Sequence, residues 1–284
     1  MTKKKPPTNT LSLFGDEPVP HTEGPPRRGS QEPGAAGPVS AYVTMNRDRL
    51  FRWASKGVYF GSSSWKYPGW KGLVYNRAYS SKKVFDQECL QEYSGVFPTV
   101  CADFALYDFP DEEQMQFIHD ATTNEFKVSL KVTDRITIRR YPNLPRHGAN
   151  AGKENADFLN LSLFEDAFLK PIEALKHKRG AIIFEFSTFY PNMGIVFKNF
   201  IELLDRFLSR LPKGYEYAVE LFQPYEKIKE ENPELRLGLA EAVRRCIAEG
   251  KKLYAYVNNR AEGNSPRTIE AILDILDSYP VEKL

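Results

Sequence analysis

Blocks of apolar residues alternate with amphipathic stretches along the chain from residue 41 onward. The short apolar runs predict six strands, at 58–60, 99–103, 126–131, 180–186, 217–221 and 253–257. The amphipathic stretches predict helices at 41–56, 80–93, 110 onward, 156–176, 194–210, 233–250 and 266–276. Because strands that alternate with helices form parallel sheets with the helices packed outside, the pattern indicates an α/β fold.

The predicted fold is a TIM-barrel-like parallel β/α barrel in which fewer than eight strands are clear. A closed barrel of this type has eight strand–helix units, whereas the pattern supplies six. The shortfall lies between about Pro224 and Lys251, where a single helix is indicated. Two explanations remain open: the barrel is shortened, or poorly patterned stretches supply the missing strands.

The first 40 residues differ in composition from the rest of the chain. They hold eight of the 20 prolines and five of the 18 glycines, with Phe14 as the one aromatic residue. Such a segment cannot bury enough apolar surface to offset the entropy of ordering it. We therefore expect a disordered tail at 1–40 and a barrel domain at 41–284.

One apolar island interrupts this tail at Thr10-Leu11-Ser12-Leu13-Phe14. It resembles the short Gln-Leu-Ser/Asp-Leu-Phe peptide by which bacterial repair and replication proteins dock on the sliding clamp. Leu11, Leu13 and Phe14 would be the anchors, since apolar residues on a flexible tether can fill a preformed pocket. However, Thr10 replaces the leading glutamine, and the same four letters recur at 161–164. An incidental apolar spot and an intramolecular latch remain as alternatives.

Charge and cysteine content narrow the functional classes. The formal net charge is +2 and the pI is about 8.2, which argues against a general nucleic-acid-coating surface but leaves room for a local basic groove. Cys89, Cys101 and Cys246 are far apart and form no Cys-x-x-Cys pair, so buried, reduced thiols are expected. The chain has no apolar run of membrane-spanning length and no secretory h-region after Met1, which predicts a cytoplasmic protein without membrane contact.

Polar and aromatic residues gather where the predicted strands end. The first strand is followed by Gly61, three serines and a loop with two tryptophans. The strand-end set comprises Ser62, Ser63, Trp65, Lys66, Asp103, Tyr107, Lys131, Arg135, Glu185, Glu220, Asn258 and Asn259. Because the carboxyl ends of parallel strands open on one face, these residues should converge there. The face should bind a small polar or anionic ligand.

Two of these carboxylates lie in apolar strands. An ionised Glu185 or Glu220 must be paired or protonated in such surroundings, and Lys131 is the obvious counter-charge. Two carboxylates beside a lysine, with Asp103 near them, form a plausible acid/base set for hydrolysis or isomerisation. The alternative is a buried ion pair that serves only to set the register of the strands.

Metal or cofactor chemistry receives little support from the sequence. Four histidines are present, His21 in the tail, His119 and His177 in helical stretches and His147 in a long loop, so none follows a strand. A histidine-rich metal site is therefore not predicted. A magnesium site made of carboxylates stays open, and no cofactor is indicated.

The motifs resemble, in order, those of the DUF72 (YecE-like) family. The opening segment GSSSWKYPGWKGLVY corresponds to the family's Gly-x-Ser-x-Trp-x-Tyr-x-x-Trp pattern, and it is followed by FPTVCADFALYDFP, FKVSLKVTDRIT, YAVELFQP and LYAYVNNRAEGNSPRTIEAI. The resemblance implies a TIM-barrel-like fold but no established activity. The family residues kept here are Trp65, Tyr67, Trp70, Tyr107, Lys131, Thr137, Glu220, Asn258 and Asn259.

Other family positions have changed. Cys101 stands where the family has glutamate, Asp103 where it has asparagine, and Ile138 where it has histidine. Phe222 replaces an arginine and Glu185 a glutamine. The resemblance therefore implies a divergent, shortened member whose substrate differs or whose activity is lost.

Two hypotheses from different classes follow. In the first, the protein is a hydrolase or isomerase that uses Lys131, Glu185, Glu220 and Asp103. Ser63, Trp65, Tyr67, Trp70, Tyr107, Thr137, Asn258 and Asn259 would then contact the substrate. In the second, it is a non-catalytic or repair-associated adaptor that residues 10–14 recruit to the sliding clamp.

Overall fold

The computed structural model describes residues 38–186, 197–221, 233–257 and 263–278. Within these ranges one sheet of six parallel strands has the order β5-β4-β3-β2-β1-β6. The strands are β1 (Val58–Ser62), β2 (Thr99–Ala102), β3 (Lys127–Lys131), β4 (Arg179–Phe186), β5 (Glu216–Leu221) and β6 (Leu253–Val257). All six strands predicted from the sequence are confirmed.

Helices connect successive strands. They are α1 (Ala41–Ser55), α2 (Lys82–Val96), α3 (Glu112–Ala121), α4 (Asp134–Thr137), α5 (Leu161–Phe164), α6 (Lys170–Ile172), α7 (Phe197–Leu208), α8 (Pro233–Ala248) and α9 (Ser265–Ser278). Side chains cap the starts of α2 and α3: Ser81 accepts a hydrogen bond from the backbone N–H of Val84, and Asp111 accepts one from that of Gln114.

The predicted regular helix at 156–176 is wrong in its start and in its regularity. The Asn160 side chain caps α5 by accepting from the Leu163 N–H at 3.1 Å, so the helix begins five residues later than predicted. A π-helical turn, Glu165–Leu169, separates α5 from α6, and a 3₁₀ segment, Glu173–Lys178, follows. Pro171 has no N–H to donate to the preceding turn, which favours an irregular pattern of helical hydrogen bonds at this point.

The two faces of the sheet bury different residues. Phe60, Val100, Leu130 and Phe184 point outward into the main core, against the helices. The alternate positions form a separate inner cluster of Cys101, Ala181 and Ile183, against which Ala218, Tyr254 and Tyr256 pack. Apolar residues on both faces explain the nearly continuous apolar strands of the sequence.

The sheet curls so strongly that side chains bridge its concave side. The Tyr256 hydroxyl on β6 donates to Ser129 Oγ on β3 and lies 3.0 Å from Thr99 Oγ1 on β2. Lys252, the residue before β6, forms an ion pair with Glu216 on β5, so the two edge strands are joined at their amino-terminal ends. The fold is therefore a curled half-barrel: the barrel-like parallel α/β prediction is confirmed, with six strands in the described ranges.

Among the helices that the structure describes, none has both the length and the apolar character needed to cross a membrane.

The environments of two cysteines predict different reactivities. Burial raises the pKa of the Cys89 thiol to about 12, whereas Cys246 is partly exposed on α8. Because only the thiolate reacts, we expect iodoacetamide at pH 8 to modify Cys246 and to leave Cys89 unmodified in the folded protein. Peptide mass spectrometry after timed labelling would test this, with urea-unfolded protein as the control. Modification of Cys89 at a rate similar to that of Cys246 would contradict the described packing of α2.

Candidate functional site

Polar side chains form a row along the carboxyl-terminal edge of the half-barrel. Glu185 lies near the end of β4, Lys131 ends β3, Asp103 follows β2 and Ser63 follows β1. These four strands are consecutive neighbours in the sheet. Since adjacent strands lie about 4.8 Å apart, the row spans roughly 15 Å. The convergence predicted from the sequence is therefore present for these four residues.

An ion pair between Lys131 and Glu185 lies within this row. The Lys131 ammonium contacts a Glu185 carboxylate oxygen, and the two side chains are only 16% and 11% exposed. Lys131 aligns with Ile183 in the β3–β4 register, and Ile183 belongs to the inner cluster, so the pair lies on the concave side. The pairing expected from the sequence is thus observed. Whether these residues are catalytic stays a prediction.

Cys101 of β2 and Asp103, which follows β2, form a contact of their own. The Cys101 thiol, which is 1% exposed, lies 3.6 Å from an Asp103 carboxylate oxygen. Asp103 also opens a 3₁₀ turn, Asp103–Leu106, that carries the chain away from the sheet. This turn leaves Tyr107 half exposed, at 51%, at the outer end of the segment.

Two buried hydrogen-bond donors follow β1. Within the described part of the chain, Ser63 Oγ and Trp65 Nε1 are buried and have no hydrogen-bond partner. The residues are 8% and 7% exposed. The Trp65 ring meets Phe104 edge to face at 6.4 Å, and the Tyr75 hydroxyl donates to the Trp65 carbonyl, so the loop is held in place. Buried donors without partners are uncommon, and an acceptor on a ligand would satisfy them.

Three other residues that were predicted to bind substrate are packed against neighbouring side chains or buried. Trp70 is 3% exposed and stacks on Tyr75 and Tyr93 at centroid distances of 6.3 and 6.4 Å. Tyr67 packs on Trp70 at 4.7 Å. Thr137 is buried at the end of α4. The contact of these three residues with a substrate stays a prediction.

Several predictions fall partly or wholly outside the described residues. Glu220 aligns with Glu185 in the β4–β5 register, which places its backbone at the same edge of the sheet. Asn258 and Asn259 lie outside the described ranges, as do Leu11, Leu13 and Phe14 of the tail.

A hydroxyl network that was not predicted from the sequence lies beneath the row. Tyr256, Thr99 and Ser129 are joined by hydrogen bonds, and Ser129 Oγ also accepts from the Ala181 N–H at 2.8 Å. Burial raises the pKa of Tyr256 well above its ordinary value, so its hydroxyl stays protonated and can donate. The alternating Leu253–Val257 strand carried the available signal, because it placed Tyr254 and Tyr256 on one face.

No group of three potential metal-binding side chains (His, Cys, Asp or Glu) occurs among the described residues. The rings of His119 and His177 lie edge to face at 5.9 Å, and His177 comes just before the start of β4, at the opposite end of the strand from the row.

Two solved structures are similar to this chain. A DUF72 family protein from Enterococcus faecalis V583 superposes with a TM-score of 0.50 at 17% sequence identity, covering 78% of this chain and 97% of that chain. A DUF72 family protein from Thermotoga maritima MSB8 gives a TM-score of 0.48 at 16% identity, covering 78% of this chain and 98% of that chain. Among proteins with curated functions, none matches the chain.

The likeness to the Enterococcus protein supports the fold. The family model described as "Protein of unknown function DUF72" matches residues 59–225, which is more than half of the chain. The matched range contains β2 to β5, all of β1 except Val58, and the whole row from Ser63 to Glu185. The chain therefore belongs to the DUF72 family.

Proposed function

We propose that the row at the carboxyl-terminal edge binds a small anionic molecule and transfers protons to or from it, as a hydrolase or isomerase. The single observation that carries the proposal is the pair of buried donors, Ser63 Oγ and Trp65 Nε1, which lack partners within the described residues. Ser63 follows β1 at the same sheet edge as the Lys131–Glu185 pair, and Trp65 lies two residues further along the same loop. A ligand that offers anionic oxygens would satisfy both donors.

The charges of the Lys131–Glu185 ion pair suit a ligand with anionic oxygens. An ammonium next to the bound oxygens stabilises negative charge, and a carboxylate held beside it can accept or return a proton. Glu220 would act as the second carboxylate, since its backbone lies opposite Glu185 at the same edge. Tyr256 and its hydroxyl partners support the strands below without entering the reaction.

Inorganic phosphate is a direct probe of this site. We expect phosphate to raise the melting temperature of the protein, and Ser63→Ala to weaken its binding about tenfold, which corresponds to one hydrogen bond to a charged group. Without phosphate, Ser63→Ala should be more stable by about 1 kcal/mol, because it removes a buried hydroxyl that has no partner. Calorimetric titration and thermal unfolding measure the two effects.

Two further variants sharpen this test. Trp65→Phe keeps the ring but removes the N–H, so it should weaken phosphate binding while preserving the fold. Lys82→Glu with Lys83→Glu reverses two exposed charges on α2 and should leave phosphate binding unchanged. Equal phosphate affinity for the native protein, Ser63→Ala and Trp65→Phe would refute the site.

The proposed proton transfer is tested separately from phosphate binding, with the variant Glu220→Gln. A panel of chromogenic phosphate and carboxylate esters would be assayed for hydrolysis. Glu220→Gln should abolish turnover with little change in melting temperature, because the amide keeps the shape of the side chain but cannot act as a base. If phosphate binds but no ester is hydrolysed by the native protein, hydrolysis of these esters is refuted while the binding site stands.

A further inference from the structure

A cleft on the helical side of the molecule combines an apolar floor with arginines. It has a volume of about 420 Å³ and lies between α7 and the segment around 158–162. Leu203 and Phe207 of α7 line one wall, and Phe158 and Leu161 line the other. Its volume falls within the range of ordinary ligand pockets.

Three arginines surround this cleft. Arg139 comes from the loop after α4, Arg206 lies in α7, and Arg210 lies two residues after the end of α7; Arg206 and Arg210 are exposed. No acidic residue is among the residues that line the cleft in the described part of the chain. Its chemistry therefore favours an occupant that carries apolar and acidic groups together.

Arg139 is incompletely paired at this position. Its nearest carboxylate, that of the largely exposed Glu154, lies 4.0 Å away, and its guanidinium lies 5.8 Å from the centre of the Phe158 ring. Its Nε is buried and has no hydrogen-bond partner among the described residues. An acceptor brought by an occupant would satisfy this donor.

The backbone of the wall is also unusual. Leu159 has φ of 54°, in the left-handed region that non-glycine residues seldom adopt, and its N–H donates to the Ile136 carbonyl at 2.9 Å. Strained backbone of this kind is enriched where a ligand binds. This feature supports the cleft as a built site.

We propose that the occupant is the protein's own segment Leu11–Glu17. Leu11, Leu13 and Phe14 provide apolar side chains, and Asp16 and Glu17 follow them directly. There is no lysine or arginine between Pro7 and Pro26, so the segment is locally acidic and matches the arginines in charge. The phenyl ring and leucines pack on the floor, and the two carboxylates meet the arginines at the rim.

The connecting chain is long enough for this contact. Roughly 20 residues separate Glu17 from the first described residue, which permits a separation of about 25 Å on average and about 70 Å when extended. A domain of this size is roughly 45 Å across. Tethering of this kind gives an effective concentration in the millimolar range, so even weak docking leaves the segment bound about half of the time.

Nuclear magnetic resonance of the full-length protein tests the proposal. We expect the backbone amide peaks of residues 11–17 to be at least about twofold weaker than those of the tail segment 31–36, because docking slows their motion. Leu13→Ala with Phe14→Ala should restore their intensity. Arg206→Glu with Arg210→Glu should do the same, whereas Lys82→Glu with Lys83→Glu, an equal charge change on α2, should not.

A charge-swap variant guards against indirect effects. In a protein with the native cleft, Asp16→Lys with Glu17→Lys should restore the intensity of the amide peaks of residues 11–17. Combining this change with Arg206→Glu and Arg210→Glu should weaken these peaks again. Peaks of residues 11–17 as intense as those of 31–36 in the native chain would overturn the latch and favour a partner such as the sliding clamp. Weakening that disappears on dilution would overturn it in favour of docking onto a second copy.

Discussion

Gly61→Ala is expected to lower the free energy of unfolding by at least about 3 kcal/mol, since it forces atoms into a filled backbone contact. A Cβ on Gly61 would lie 2.2 Å from the Thr99 carbonyl oxygen and 2.9 Å from its carbonyl carbon. These atoms belong to β2, which pairs with β1 at this residue. Because backbone cannot swing aside as a side chain can, the two strands must separate or shift.

Gly95→Ala provides the matched control. Gly95 lies in α2, and a methyl group added there would have no heavy atom of another element within 4 Å. Alanine at this position should therefore stabilise the protein by about 0.5 kcal/mol. Urea unfolding followed by tryptophan fluorescence measures both variants. If Gly61→Ala unfolded at the same urea concentration as the native protein, the described approach of β1 to β2 would be wrong.

Glu185→Leu is expected to destabilise the protein by about 3 kcal/mol, because it removes the carboxylate that contacts the Lys131 ammonium at a largely buried position. The side chains of the pair are only 16% and 11% exposed, so water compensates little. The double variant Lys131→Met with Glu185→Leu should recover most of the loss, since two apolar side chains can replace a buried ion pair at little net cost.

A double-mutant cycle in urea measures this coupling. Glu249→Leu, which removes the exposed partner of Lys251, is the control and should not shift the unfolding midpoint measurably. Additive effects of Lys131→Met and Glu185→Leu would show that the two charges do not interact in the folded state. A recovered double variant that still bound phosphate with native affinity would assign the pair to strand register alone.

Prediction from the sequence was most successful for local structure. Each strand was predicted correctly because a short apolar run bounded by turn residues is typical of a buried strand. The helices after Ser81 and Asp111 start where these side chains accept hydrogen bonds from the backbone, which is also a local effect. The irregular run at 161–178 was predicted less well. Its amphipathic pattern suits a regular helix, whereas Pro171 and the Asn160 cap determine the hydrogen bonds that form.

The candidate site was predictable in part. Lys131 and Glu185 are 54 residues apart, and the expectation that they pair came from strand ends that share one edge and from opposite charge in apolar surroundings. The buried, unpartnered state of Ser63 and Trp65 could not be predicted, because it depends on how the β1 loop packs against Phe104 and Tyr75.

By itself, the sequence determined the order of strands and helices, the parallel α/β class and the family, because these follow from local periodicity and from motifs contiguous in the chain. Only the tertiary structure decided how far the sheet curls, since that depends on contacts such as Tyr256 with Ser129 and Lys252 with Glu216, between strands distant in sequence. It also decided that Arg139 and Arg206 share one cleft. Long-range packing, to which every strand and helix contributes, sets both.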